Sequence, residues 1–532
     1  MPKVTRPWVT SLVVLVLAFD LAFAWQWSMG AYRSEFGGHP DEPAHVVTGL
    51  FVRDALVEVG HYAVTGFHGS PLRLGKEFAD RYYTHYPKIG LGVWPPFFYL
   101  VQSVWTLPFG ASRTALFFLL AALAAGLGLL LFRVLREEFS IGLAGVSAAV
   151  LLSLPLVRSY YGMVMAETLS ALLMFGAILA FGRFLDRERR ADALWFGVLA
   201  TLAILTKGTG LALALAAPLA LLFTRRLHLL KSRALWSALL IVVVGAGPWT
   251  WATRNLGKGG WLQPNLSWSF TREALPYYVQ KLGVSLGLML ILLLAVGVLV
   301  KLRRGTPLPG RWAAAASLIV AVLVFQSIAP VGLEARHLIP ILPSALMFAA
   351  AGFDFVAGRL TGWRKLAWAA VALLGTAVAL LPFKTKDYSG FAELAEVMLS
   401  DASPGDVSLV SSDATGEGMF IADVALRERR PDHVIQRASK SLASSTWSGS
   451  GYFPAFSTDD ALFQFLASGQ IRYLIVDDAV TGEGRRREHH DQIERVVEQH
   501  PNQFQVVAES AIWRGGEKQK VPAKLYKIYP KN

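Results

Sequence analysis

The sequence predicts a polytopic α-helical membrane protein with a C-terminal extracytoplasmic α/β domain. Three observations lead there. Of 532 residues, 54% are hydrophobic and 17% charged, and mean hydropathy is +0.42, which is unlike soluble domains. Apolar runs of spanning length recur from residue 8 to residue 383. Beyond 384 the pattern changes to short alternating strands and amphipathic helices.

A bilayer core takes about 20 mostly apolar residues per helix. Candidate spans lie near 8–29, 112–132, 140–157, 165–185, 193–206, 209–224, 234–252, 277–300, 312–329, 337–357 and 366–383, about eleven in all on that length criterion. "TKGTG" at 206–210 separates two short runs, which also read as one kinked segment. The N-terminal run follows basic residues and has no small-residue cleavage site after it, so it reads as an uncleaved first span.

Charge orients these spans. Alternate loops carry Arg133 and Arg136; Arg183, Arg187, Arg189 and Arg190; Arg225, Arg226, Lys231 and Arg233; Lys301, Arg303, Arg304 and Arg311; and Arg359, Arg364 and Lys365. The positive-inside rule puts these loops and the N-terminus in the cytoplasm. The net charge of +13 is then a loop property and implies no nucleic acid. "WPPFFYLVQSVWTLPFG" (94–110) would invert every later loop if it crossed, so it reads as a re-entrant or juxtamembrane helix behind Pro95 and Pro96.

Two domains follow: residues 1–383, with 30–111 as a long first outer loop, and residues 384–532 outside the membrane. Within the loop, Val46, Leu50 and Val57 recur at helical spacing over 41–59, a helix expected on the membrane surface. In the C-terminal part, "DVSLVSS" and "RYLIVDD" read as strands, "FAELAEVMLS" and "DQIERVVEQH" as helices, and "FQVVAES" and "KLYKIYP" as closing strands.

In this layout ionisable residues gather at outer span ends: Asp41 and Glu42 in "FGGHPDEPAHVVTG", Lys88, Glu167 in "YYGMVMAETLSALL", Lys207 in "LTKGTG", Arg254 after "PWTWAT", and Arg336 and His337 in "LEARHLIPILP". Charge at mid-bilayer is costly, so such groups face water or a cavity. Each also has a plain structural reading. Asp41 fits a helix N-cap, Glu167 an interfacial carboxylate, and Lys207, Arg336 and Arg254 headgroup contacts. His39, His45 and His85 fit solvated loop residues. They lack metal-ligand spacing, and metal use stays open. No cysteine is present, which excludes disulfides, thiolate metal sites and a cysteine nucleophile.

An acidic pair in the first outer loop, then "WPPFFYL", a carboxylate opening a later span, "LTKG" and "ARHLIPILP" together resemble bacterial relatives of the protein O-mannosyltransferases and lipid A aminoarabinose transferases, which are GT-C membrane glycosyltransferases. The resemblance covers roughly residues 8–350 and rests on motif order more than on any single motif. It implies a polyprenyl-phosphate-linked sugar donor, no nucleotide sugar, and transfer, usually with inversion, on the outer face of the bacterial inner membrane. The acceptor is a protein, lipid A or envelope glycan. Asp41 matches the family's catalytic first-loop acid. Glu167 takes the place of a second carboxylate, usually Asp in the aminoarabinose transferases. Lys207 matches the lysine near the donor phosphate, and Lys88 and Arg336 resemble further basic positions.

The chemistry agrees independently. Inverting transfer needs a base and a way to stabilise the departing phosphate. Asp41 suits the base; Lys207 and Arg336, with Lys88 and Arg254 behind them, suit the phosphate. Glu42 and Glu167 suit orientation of acceptor or sugar, or tuning of Asp41. A transporter or flippase of a lipid-linked or anionic substrate is the alternative. Against it, the acids lie in a long loop and no inverted repeat is visible. The topology has a direct test: a compartment-sensitive reporter fused after residue 532 is expected to be active only outside the cytoplasm, and cytoplasmic activity overturns the layout.

Overall fold

The computed structural model describes residues 7–66, 70–258, 262–263, 265–302, 308–428, 430–444, 451–478, 486–514 and 521–529. Arg303 and Arg304, and the basic residues ahead of position 7, lie outside the described residues.

Lipid offers no hydrogen-bond partner, so each apolar run must close its own backbone as helix. The first is α1 (Pro7–Ser28). The long loop holds α2 (Glu42–Thr65), α3 (Pro71–His85) and α4 (Phe97–Phe109). In α2, Val46 and Leu50 are buried while Val57 is exposed. At 13 residues, α4 is too short to span.

The next helix is α5 (Arg113–Leu135). After it, α6 (Ile141–Ser153) and α7 (Pro155–Tyr161) form one apolar run bent by 64°. Pro155 causes the bend: it has no N–H to give and holds Leu154 extended at ψ 130°. Then come α8 (Glu167–Arg187), α9 (Arg190–Ile204), a 3₁₀ turn at Gly208–Ala212, α10 (Leu213–Phe223), α11 (Arg233–Ala252) and the short α12 (Arg254–Lys258). The helical series closes with α13 (Trp268–Leu302), α14 (Gly310–Ile328), a 3₁₀ turn at Ala335–Ile341, α15 (Leu342–Ala357) and α16 (Gly362–Leu380).

Eight helical segments among the described residues are long and apolar enough to cross, or nine if α6–α7 is one span. The expected count of about eleven treated 193–206 and 209–224 as separate spans. The helices there have 15 and 11 residues; at about 1.5 Å per residue neither reaches across the core. At 35 residues α13 is longer than a span needs, and it is broken at Gly287 (φ 72°, ψ 164°). Only glycine takes that φ readily, and a Cβ there would lie 2.6 Å from the Ala379 Cβ.

By packing, the chain forms two units: a helical unit of Met1–Met29, Gly92–Phe98 and Phe117–Lys384, and a mixed unit of Gly30–Leu91, Tyr99–Leu116 and Thr385–Asn532. The first long loop thus groups with the C-terminal segment. Hydrogen bonds account for this: Glu35 N–H donates to Tyr388 O (2.8 Å), and Glu35 Oε1 accepts from Gly390 N (2.8 Å) and Ala392 N (2.9 Å).

In the helical unit, basic loop residues meet at one end. Lys301 pairs with Glu138 (2.8 Å), Arg311 with Glu137 (2.8 Å) and Glu138 (3.3 Å), and Asp186 accepts from Gly310 N (2.7 Å). Elsewhere in the unit α13 and α15 touch backbone to backbone. A Cβ on Gly297 would lie 1.9 Å from Phe348 O, and one on Gly352 1.9 Å from Leu293 O. Small residues permit such approach in membranes.

The mixed unit holds a six-stranded sheet of order β1-β7-β8-β6-β2-β3, from β1 (Tyr388–Ser389), β2 (Val407–Ser411), β3 (Val434–Arg437), β6 (Tyr473–Asp477), β7 (Phe504–Arg514) and β8 (Val521–Ile528). A separate two-stranded pair joins β4 (Ala443–Ser444) and β5 (Phe453–Pro454). β2 runs parallel to both β3 and β6, while β8 is antiparallel to β6 and β7. β6 is buried at all five positions, as expected of an apolar strand covered on both faces. The helices read from "FAELAEVMLS" and "DQIERVVEQH" are α17 (Phe391–Asp401) and α21 (Glu488–Gln499). Between them lie α18 (Ala414–Arg427), α19 (Ala438–Ser441) and α20 (Asp459–Leu466).

The glycine contact is testable. Overpacking costs about 1–3 kcal/mol, so Gly352→Val is expected to lower the thermal stability of the detergent-solubilised protein. Gly60→Ala, with open space around its Cβ, is the control. Equal melting of Gly352→Val and wild type would remove this contact from the account.

Candidate active site

Glu167 is the first residue of α8 and is buried. A buried carboxylate must be paired or lose its charge. Its Oε1 lies 2.5 Å from Lys207 Nζ and 3.5 Å from Arg336 Nε. Lys207 reaches it because the chain leaves helix after α9: Lys207 is extended (φ −159°, ψ 143°). Gly210 permits the tight return, since a Cβ there would lie 2.7 Å from Ala203 C. Arg336 sits in the 3₁₀ turn before α15, where its Nη2 also donates to Glu334 Oε1 (2.8 Å). Next to it, His337 Nδ1 lies 3.0 Å from Tyr278 OH. The cluster stands at the start of α8, and the basic loops at its far end. Twenty-one residues separate the two, about 30 Å of helix.

The structure therefore brings Glu167, Lys207 and Arg336 together. Both cations already have carboxylate partners, so an arriving anion would share them with Glu167 and Glu334. Sequence reasoning missed Glu334 and Tyr278. Glu334 lay within the quoted "LEARHLIPILP"; nothing marked Tyr278. Arg254 is placed differently. It begins α12, donates to Trp251 O (2.6 Å) and stacks 4.5 Å over the Trp251 ring.

In the mixed unit Asp41 stands at the N-cap position of α2, yet its side chain makes no capping hydrogen bond. Its backbone N–H donates to His39 Nδ1 (3.1 Å). The same ring nitrogen lies 3.5 Å from the Asp41 carboxylate. Glu42 differs from its neighbour. It is fully buried, 2.5 Å from Lys386 Nζ, and accepts from Gly38 N (2.9 Å). Such a pair fixes the start of α2. His45, expected in solvent, is buried with its Nδ1 2.7 Å from Tyr99 OH. His85, also expected in solvent, is half-buried, its Nδ1 2.7 Å from Arg81 O.

Lys88 donates to Ala414 O (2.9 Å). Burial, and then the Arg437 guanidinium, push its ammonium down to about 7, against the opposing pull of Glu417, Asp41 and Asp413. Above that pH the amine is neutral and nucleophilic. The pH profile of acylation at Lys88, followed by mass spectrometry, is expected to have its midpoint near 7 rather than at the ordinary lysine value of about 10.4. A midpoint at the ordinary value contradicts this environment.

Residues 93–251 match the family described as dolichyl-phosphate-mannose-protein mannosyltransferase, a stretch that includes Glu167 and Lys207. No curated protein sequence matches the chain. Among solved structures, ArnT from Cupriavidus metallidurans in the apo state superposes with TM-score 0.60 at 16% identity, covering 96% of this chain and 97% of that one. The same protein bound to undecaprenyl phosphate gives 0.58 at 16%, covering 98% and 97%. The Archaeoglobus fulgidus oligosaccharyltransferase in the apo form gives 0.55 at 12%, covering 96% and 76%. At these identities the likeness shows the fold. The chain is a multi-pass membrane protein with the fold of the GT-C membrane glycosyltransferases.

Proposed function

We propose that the protein transfers a sugar from a polyprenyl-phosphate donor to an acceptor on the outer face of the bacterial cytoplasmic membrane, with inversion. The N-terminus and basic loops are cytoplasmic in this reading, and the C-terminal domain is outside. The observation that carries it is the convergence of Lys207 and Arg336 on one buried carboxylate, at the end of α8 away from the basic loops. The undecaprenyl phosphate bound by the Cupriavidus ArnT lends support.

The roles follow from the chemistry. An acceptor hydroxyl or amine attacks the anomeric carbon, the bond from that carbon to the phosphate oxygen breaks, and the lipid phosphate leaves with the electron pair. Asp41 takes the acceptor proton. Its carboxylate is not spent on capping α2, which supports that assignment. Lys207 and Arg336 stabilise the charge growing on the phosphate, Arg336 through its planar fork. Glu167 holds both cations in place beforehand. Lys88 has a supporting part in phosphate binding. Arg254 has a lesser one, since Trp251 already engages it. Glu42 positions α2 through Lys386 and leaves the proton transfer to Asp41. The acceptor is a protein, lipid A or envelope glycan.

Purified variants test the reading through two measurements, polyprenyl-phosphate binding and turnover. Asp41→Asn is expected to bind the lipid as wild type does and to turn over about 10²–10⁴-fold more slowly. Lys207→Ala is expected to lose both binding and turnover. Arg336→Lys is expected to be milder but impaired, because lysine has no fork. Wild-type protein that binds no polyprenyl phosphate ends the glycosyltransferase reading. Normal turnover by Asp41→Asn ends the assignment of the base.

A further inference from the structure

The turn between α18 and β3 in the mixed unit holds three groups that the transfer chemistry does not use. Glu428 follows α18 directly, and Asp432 and His433 precede β3. One ligand atom from each lies within 4.8 Å of the others. Tyr86, next to the end of α3, donates its hydroxyl to Glu428 Oε1, and His433 Nδ1 contacts Glu428 Oε2.

Two further observations point to a ligand. His433 is buried, and its Nε2 has no hydrogen-bond partner among the described residues. Such a group is costly to leave unpaired. The Asp432 carboxylate has no hydrogen-bond or ion-pair partner among the described residues either. The adjacent cation Arg430 is directed to Asp54 (3.4 Å) and does not neutralise the cluster. Two carboxylates and one imidazole therefore share a largely enclosed turn without an opposing charge from Arg430.

We propose that Glu428, Asp432 and His433 form a divalent-cation site of the zinc class. One imidazole nitrogen and two carboxylate oxygens are a borderline-soft donor set, suited to Zn²⁺ rather than to the all-oxygen preference of Ca²⁺ or Mg²⁺. Water completes the coordination. Whichever ring nitrogen binds, the contact His433 gives up is at most the one to Glu428, itself a ligand. Tyr86 holds the far oxygen of Glu428, so the cation would also tie the end of α3 to the turn. This site is independent of the transfer reading.

The test uses the full-length protein in detergent. It is stripped with chelator, equilibrated with Zn²⁺, desalted, and assayed for metal per chain by elemental mass spectrometry. Asp432→Asn and His433→Ala are each expected to hold one Zn²⁺ fewer than wild type, with affinity reduced at least about 10-fold. Added Zn²⁺ is expected to raise the melting temperature of wild type and not of Asp432→Asn. Asp432→Asn removes a carboxylate that ties down no other described group, so it carries the test if His433→Ala fails to fold. Equal Zn²⁺ in wild type and Asp432→Asn, or none in wild type, overturns the proposal.

Discussion

A buried carboxylate needs a cation, and much of this molecule is arranged around that requirement. Glu167 at the head of α8 is enclosed and draws Lys207 and Arg336 from two other parts of the helical unit. In the mixed unit Glu42 holds Lys386 across 344 residues of sequence, and Glu417, also buried, holds Arg437 at 2.7 Å. Removing one member of such a pair leaves an uncompensated charge, which costs more than the pair itself gains. These pairs therefore specify which segments meet as much as they stabilise the contact.

The second constraint is the backbone itself. In lipid, non-helical backbone survives only where protein or a water-filled cavity covers it. Two of the places where the helical unit breaks its helices hold ionisable groups of the candidate site. Lys207 sits in the gap between α9 and the following 3₁₀ turn. Arg336 and His337 sit in the 3₁₀ turn before α15. A side chain on a continuous helix points sideways from the axis, whereas one at a break can project along it. The irregular segments are what let three charged groups from distant parts of the sequence converge.

Much of this was legible beforehand. The long apolar spans follow from composition, and the strands at 407–411 and 473–477 from their apolar runs. The C-terminal sheet order was not legible, because pairing depends on contacts far apart in sequence. "TKGTG" was visible as an interruption, and the structure makes it the hinge that delivers Lys207. The expected count of about eleven and the eight or nine long apolar helices among the described residues differ because hydropathy registers that a segment is apolar and says little about how its helix is cut. Asp41 and Glu42 are adjacent in sequence, but the structure gives Glu42 a buried setting with Gly38 and the distant Lys386 as partners, which no local pattern shows. Glu334 went unmarked beside Arg336 and His337 in a segment otherwise singled out, and Tyr278 was hidden by its place within a long apolar helix. The Glu428–Asp432–His433 turn carries no recognisable ligand spacing; the three groups meet because the segment between α18 and β3 folds back on itself.

The glycine contact between α13 and α15 bears on motion. Beyond Gly287, the second half of α13 lies so close to α15 that neither helix can slide or roll without backbone colliding with backbone. The first half is on the other side of the break and carries Tyr278, whose hydroxyl meets His337 beside Arg336. One half of the helix is thereby an anchor and the other a lever. A swing of the lever about Gly287 would be transmitted to the turn that presents Arg336 through the Tyr278–His337 contact and the bonds of Tyr277 and Tyr278 to the Ala335 and Glu334 backbone, while the anchored half and α15 stay fixed.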